Sequence, residues 1–137
     1  MGRPVALVIE DEYDISIIFA RALRQAGYET SIVRSGETAL AWLAAEVPNL
    51  VILDLNLPRL PGTEILKHIR GEQRLKDVPV IVATAFPRLA ETVRSEVDWI
   101  LIKPVNFGQL RILAERFSPA TSGDEKPEAE AGDSEDE

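Results

Sequence analysis

Residues 50–53, Leu-Val-Ile-Leu, form an unbroken apolar run that stops at an acid, Asp54, and Pro58, Pro61 and Gly62 follow before helical periodicity resumes over 64–70. A short run with no polar alternation fills a strand covered on both faces, since a half-exposed strand would turn every second side chain to water. The unit is strand, acid, turn, helix. It predicts a buried parallel sheet in which Asp54 stands where the strand leaves the core, and open α/β sheets bind ligands in the crevice at that end of their strands.

The same alternation runs through the chain. Residues 5–9 are a buried run ended by Glu10, Asp11 and Glu12. From Tyr13 onward Ile15, Ile18, Phe19, Ala22, Leu23 and Ala26 recur at helical spacing and stop at Gly27. Residues 28–33 are rich in aromatic and β-branched side chains and read as a second strand. Ser35 is a candidate N-cap for a helix that buries Ala39, Leu40, Leu43 and Ala44 and is closed by Pro48. After the third strand, Ile65, Leu66 and Ile69 mark a helix ending before Gly71. Residues 80–83 form a fourth strand followed by Thr84, and residues 99–102 a fifth, ended by Lys103 and Pro104. Between them, residues 90–96 make a short helix at most, with Pro87 intruding, and a last helix buries Leu110, Leu113, Ala114 and Phe117. Strands joined by helical crossovers predict a three-layer, doubly wound (βα)5 α/β fold, with a parallel five-stranded sheet and helices on both faces.

Charge divides the chain. Residues 118–137 carry eight acids and one lysine, −7 of the formal net charge of −8, and no Val, Ile, Leu, Met or aromatic residue. Such a segment cannot bury enough surface to offset the entropy of ordering, so an acidic disordered tail is expected behind a domain spanning 1–117. That domain is nearly neutral, with fifteen acids against fourteen Lys and Arg. At 45% apolar and 28% charged residues the chain has the makeup of one soluble domain with a real core. The absence of cysteine excludes disulfides, thiolate chemistry and the usual structural zinc sites. No segment reads as a signal peptide or a membrane span, so a cytoplasmic protein with no membrane contact is expected. Without a basic stripe or helix-turn-helix, no direct DNA binding is expected either.

The informative residues stand at the strand ends: Glu10 and Asp11, then Asp54, Thr84 and Lys103. In a parallel sheet these ends share one edge. Three carboxylates there repel one another and raise each other's pKa values unless a cation joins them. A hard divalent ion such as Mg²⁺ suits a few protein oxygens with room for water. With that ion bound, attack by Asp54 on a phosphoryl group needs positioning and charge neutralisation more than acid–base chemistry. Lys103 pairs with a second phosphoryl oxygen and the Thr84 hydroxyl donates to a third.

Four spaced motifs carry a resemblance: Val-Ile-Glu-Asp-Glu at 8–12, Leu-Val-Ile-Leu-Asp-Leu-Asn-Leu-Pro at 50–58 with Gly62 after it, Val-Ile-Val-Ala-Thr-Ala at 80–85, and Ile-Leu-Ile-Lys-Pro-Val at 100–105. Over residues 4–117 the chain resembles the receiver domain of two-component response regulators. The resemblance implies a flavodoxin-like sheet of order 2-1-3-4-5. It implies that Asp54 accepts a phosphoryl group from a phosphohistidine on a sensor histidine kinase or histidine phosphotransfer protein. Asp11 and Asp54 would hold Mg²⁺ directly, the backbone carbonyl of Asn56 would complete the set, and Glu10 would act through water. Lys103 and Thr84 would take the roles above, and the Lys103–Pro104 bond is commonly cis in the family. The implied activity is that of a phosphoacceptor assisting its own phosphotransfer and autodephosphorylation, not of an enzyme, and it signals by conformational change to a downstream protein that the sequence does not name.

The chain departs from that pattern in places. Receivers usually carry an aromatic residue three positions before the lysine, where this chain has Ile100; Trp99 is adjacent, but strand side chains alternate, so it should point to the other face. The interval from Thr84 to Lys103 is nineteen residues, shorter than usual, so the output face of helix four, strand five and helix five is expected to be unusual, with a homodimer left open. No output module is evident after Phe117, and a stand-alone receiver is expected. Two other readings compete. A pseudo-receiver would act as a phosphorylation-independent interaction module. An aspartyl phosphatase or phosphotransferase would need a second acid two residues after the nucleophile, and Asn56 stands there instead; together with Phe86 it is expected to tune the lifetime of the phosphoaspartate by controlling water. Glu10 is one methylene longer than the usual aspartate and competes with a reading as a solvated side chain. His68 reads as a surface residue, and Trp42 as a partly covered surface aromatic.

Overall fold

In a computed structural model that describes residues 2–119, the chain alternates strands and helices: β1 (Val5–Ile9), α1 (Tyr13–Gln25), β2 (Glu29–Val33), α2 (Gly36–Ala45), β3 (Leu50–Leu53), α3 (Gly62–Gly71), β4 (Val80–Thr84), α4 (Pro87–Glu91), β5 (Trp99–Ile102) and α5 (Phe107–Phe117). The strands pair in parallel in the order β2-β1-β3-β4-β5. The acidic tail expected at 118–137 lies, from residue 120 on, outside the described residues.

Strand alternation builds two cores. On one face Leu7, Ile9, Val51, Leu53 and Val80 meet Leu43, Ile65 and Ile69 from α2 and α3. On the other, Ala6, Val8, Ile52 and Ile81 meet Phe19 and Leu23 of α1 and Leu110 and Leu113 of α5. Each such aliphatic side chain contributes about 1.5–3 kcal/mol by leaving water. Both central strands β3 and β4 are buried along their whole length, which is why they carry no polar alternation.

Four local expectations are corrected. Strand β2 starts at Glu29, because the Tyr28 N–H donates to the Leu23 carbonyl at the end of α1; the Tyr28 ring is wholly buried and its phenol donates to the Ala114 carbonyl at 2.8 Å. Ala44 is exposed; Ala39 and Leu43, one turn apart, form the buried stripe of α2. Helix α3 begins at Gly62, earlier than its apolar pattern, and runs through Gly71. Pro87 does not interrupt a helix but starts one: it occupies the first turn of α4, where its missing N–H is no loss. A 3-10 turn, Arg94–Glu96, follows, so the region is short and irregular as expected, but its helix lies before residue 92.

Other expectations hold. Gly27 ends α1 with φ +104°, the left-handed conformation glycine adopts freely. Ser35 caps α2 by accepting from the Thr38 N–H. Ile100 packs with the α2 and α3 core and Trp99 with the α1 and α5 core, on opposite faces. Trp42 is partly covered, and His68 lies at the surface, 3.1 Å from Glu72. Among the described residues, no helix is long and apolar enough to cross a membrane.

Candidate functional site

The sheet register gathers the chemistry at one edge. Ile9 lies beside Leu53 and the Asp54 N–H donates to the Ile9 carbonyl at 3.0 Å, so Glu10 and Asp54 leave the sheet side by side. Thr84 pairs with Ile102, and the Lys103 N–H donates to the Thr84 carbonyl at 2.9 Å, which brings β5 to the same rim. Glu10, Asp11 and Asp54 offer carboxylate oxygens that all lie within 4.8 Å of one another. They line a hollow of about 370 Å³ with Asn56, Phe86 and Lys103.

Within it, Lys103 Nζ donates to Glu10 Oε1 at 2.8 Å and lies 3.5 Å from Asp54 Oδ2. Asp54 Oδ1 accepts from the Asn56 N–H at 3.0 Å, which fixes the orientation of a carboxylate that is almost wholly buried. Asp11 is exposed at the mouth. Thr84 is close by but differently disposed. Its side chain is fully buried and its Oγ1 accepts from the Phe86 N–H at 3.0 Å, while Ala85 and Phe86 after it line the hollow.

Glu10 departs most from its sequence reading. It is not a solvated side chain: it is 0% exposed and is the acid nearest Lys103, at 2.8 Å against 3.5 Å for Asp54. Burial pushes its carboxyl up to about 7, and the charge of Asp54 works in the same direction against the Lys103 hydrogen bond. Burial works to lower Lys103, but the Glu10 hydrogen bond and the charges of Asp54 and Glu10 outweigh it and hold the ammonium above its ordinary value. The site is therefore a crowd of acids only partly neutralised by one lysine.

The loop carrying Asn56 is clasped between two helix starts. A Cβ on Gly62 would collide with the Asp54 carbonyl oxygen and come within 2.6 Å of Leu55 Cα, so only glycine lets α3 approach the end of β3 this closely. A Cβ on Gly36 would likewise meet Leu60 Cβ at 2.7 Å. Arg59, with φ +63°, donates to Glu37 of α2 at 3.2 and 3.4 Å. The Lys103–Pro104 peptide beside the hollow is cis. Sequence reasoning missed Arg59 and its pairing with Glu37.

Residues 6–115 match the response regulator receiver domain. The probable methanogenesis regulatory protein FilR2 of Methanothrix harundinacea is 31% identical over 124 residues, 82% of this chain and 80% of that protein. The probable transcriptional regulator ycf27 of Porphyridium aerugineum is 32% identical over 93% of this chain, which spans 55% of that relative's length. Among solved structures, the Mn²⁺-bound form of response regulator Rcp1 superposes with a TM-score of 0.70 at 28% identity, covering 90% of this chain and 99% of that one. A match of this extent, on a sheet wound in the order 2-1-3-4-5, makes the chain a member of the response regulator receiver domain family of two-component signalling.

Proposed function

We propose that the chain is a phosphoacceptor: Asp54 takes a phosphoryl group from a phosphohistidine on a sensor histidine kinase or histidine phosphotransfer protein, with Mg²⁺, and a downstream protein reads the modified form. The observation that carries this is the convergence of Glu10, Asp11 and Asp54 with Lys103 in one hollow at the carboxyl edge of the sheet.

The donor set fits a hard divalent ion. It is all oxygen, it carries more negative charge than Lys103 offsets, and burial leaves Glu10 with a raised pKa that a nearby cation would relieve. The Mn²⁺-bound form of Rcp1 supports a divalent ion in a relative of this kind. Asp11, Asp54 and the Asn56 carbonyl would hold Mg²⁺, with Glu10 acting through water. When bound, the ion neutralises charge on the transferring phosphoryl group. An oxygen of Asp54 forms the new O–P bond as the P–N bond of the phosphohistidine breaks, and the imidazole nitrogen leaves with that electron pair. The Asn56 N–H holds the Asp54 carboxylate in place during attack. Lys103 has three N–H donors, so it can keep Glu10 and still pair with a phosphoryl oxygen. The Thr84 Oγ1 accepts from the Phe86 N–H while its own O–H is left to donate to another phosphoryl oxygen, and this couples the modification to the loop after β4.

That loop leads into a hollow of about 240 Å³ bordered by Pro87, Ala90, Arg94, Ile100 and Ile102. With Ile100 in place of an aromatic residue, the signal is carried by a shift in the population of arrangements of α4 and β5, which a protein partner prefers in one form. In this reading the protein works in the cytoplasm, has no catalytic turnover beyond its own phosphorylation and dephosphorylation, and binds neither DNA nor membrane.

Incubation with Mg²⁺ and acetyl phosphate, followed by intact mass, tests the reading. A gain of one phosphoryl group on the wild type but not on Asp54→Asn supports it. No modification by acetyl phosphate, phosphoramidate or a phosphorylated histidine kinase would leave a pseudo-receiver. Sustained phosphate release at hundreds per second would mark an enzyme.

A further inference from the structure

We propose that Arg34 is a positioning residue for the metal-binding loop, holding the first turn of α1 so that Asp11 stands at the mouth of the hollow; this rests on the phosphoacceptor reading above. Asp11 makes no hydrogen bond or ion pair of its own among the described residues, so the backbone beneath it sets where its carboxylate stands. Glu12, at the N-cap of α1, makes no side-chain capping bond, and neither do Pro61 and Phe86 at the starts of α3 and α4. The turn is held from outside instead. Ser16, fully buried, donates from Oγ to the Tyr13 carbonyl at 2.7 Å and accepts from Arg34 Nη2 at 2.8 Å. The Arg34 guanidinium also lies over the Tyr13 ring, 4.6 Å from its centroid, the planar stacking that arginine provides and lysine does not.

Arg34 directly follows Val33, whose carbonyl accepts the Glu10 N–H at 3.1 Å. Residues 10–13 are therefore fastened to the end of β2 twice, at their start through the backbone and at their finish through the Arg34 side chain. Two further facts separate this role from a plain contribution to the fold. Arg34 forms no ion pair with any carboxylate among the described residues, although Glu12 and Asp14 flank the Tyr13 whose ring it covers. Its Nε is buried without a hydrogen-bond partner, which weighs against the folded state. A side chain that makes one bond and one stack while leaving a donor unmet serves the geometry of the turn more than its stability.

The test measures Mg²⁺ affinity of the full chain by calorimetry, and by competition with Mn²⁺ followed by electron paramagnetic resonance. The variants are Arg34→Gln, Arg34→Lys, Asp11→Asn and the Arg34→Gln/Asp11→Asn double mutant, each also melted without metal. Arg34→Gln is expected to weaken Mg²⁺ binding about 10-fold, the scale seen when groups that orient metal ligands are removed. Its metal-free melting temperature should stay level or rise. Arg34→Lys, which keeps the charge but not the stack, should weaken binding likewise. In the Asp11→Asn background, Arg34→Gln should change affinity less than about 2-fold, because the ligand through which it acts is gone. If Arg34 acted only as a positive charge near the acids, Arg34→Gln would tighten Mg²⁺ binding; that result, unchanged binding, equal losses with and without Asp11, or a large drop in the metal-free melting temperature would each overturn the proposal. A wild type that fails to bind Mg²⁺ would instead sink the phosphoacceptor reading, an outcome distinct from a wild type that binds and an Arg34→Gln variant that matches it.

Discussion

Replacing Glu10 by Gln removes one charge from the hollow while keeping the length of the side chain and an acceptor for Lys103. Glu10 is fully buried and its carboxyl is pushed up from 4.5 to about 7, so the folded protein holds this proton more tightly than the unfolded chain does. At about 1.4 kcal/mol per pH unit, that rise corresponds to about 3 kcal/mol. Below pH 4.5 the group is protonated in both states and exerts no effect. Between 4.5 and about 7 only the unfolded chain has lost the proton, so the stability of the wild type falls as pH rises, and above about 7 the whole penalty is in place. Glutamine has no proton to lose. In metal-free buffer the stability of Glu10→Gln relative to wild type should therefore grow by about 3 kcal/mol between roughly pH 4.5 and pH 8. Urea unfolding followed by circular dichroism at several pH values reads this directly: at a slope of about 1.5 kcal/mol per molar urea, the difference in midpoints grows by about 2 M. Saturating Mg²⁺ should narrow it, since a cation relieves the same repulsion. A difference that stays flat with pH would refute the reasoning, because it would mean that Lys103 keeps the buried carboxyl ionised at its ordinary value.

Gly62→Ala should destabilise the fold by about 1–3 kcal/mol and weaken Mg²⁺ binding, since the new methyl group displaces the Asp54–Leu55 backbone; a denaturation midpoint equal to wild type counts against the close approach. Asp54→Asn and Asp11→Asn should each raise the metal-free melting temperature, by roughly 4 °C per kcal/mol of repulsion removed, while Mg²⁺ should raise that of the wild type; scanning calorimetry with and without the ion would show otherwise if the acids are not crowded. Phe86→Ala opens the mouth of the hollow to water and should shorten the half-life of the phosphorylated protein, while folding stability moves by less than about 0.5 kcal/mol because the ring is 49% exposed. Loss of label from phosphorylated wild type and variant, side by side, decides it.

Much of the site was legible because the sequence states what each strand ends with. Apolar runs ending at Asp54, at Glu10 and Asp11, and at Lys103 named the side chains that meet in the hollow, since a parallel sheet leaves them one edge to share. Where the linear pattern misled, a contact outside it was responsible. Tyr28 has the makeup of a strand residue, but its N–H closes the turn after α1 on the Leu23 carbonyl, and its phenol reaches Ala114, eighty-six positions away. Helix α3 starts before its apolar stripe because Gly62 packs on the backbone of Asp54 and Leu55. Pro87 reads as a breaker within a local window, yet it starts a helix once the loop after β4 has turned.

The amino-acid sequence alone determined the alternation of strands and helices, the residues that fill the two cores, and the set of side chains delivered to the working edge, since each follows from periodicities of two and 3.6 residues that local hydration imposes. Only the tertiary structure decided that Glu10 takes the close hydrogen bond of Lys103 across a sequence separation of 93 residues, that the Thr84 hydroxyl faces the Phe86 N–H, and that Arg34 braces the turn beside Asp11. Those outcomes turn on ångström distances between chain segments whose spacing depends on the register and twist of the whole sheet, and no local pattern of polar and apolar residues encodes them.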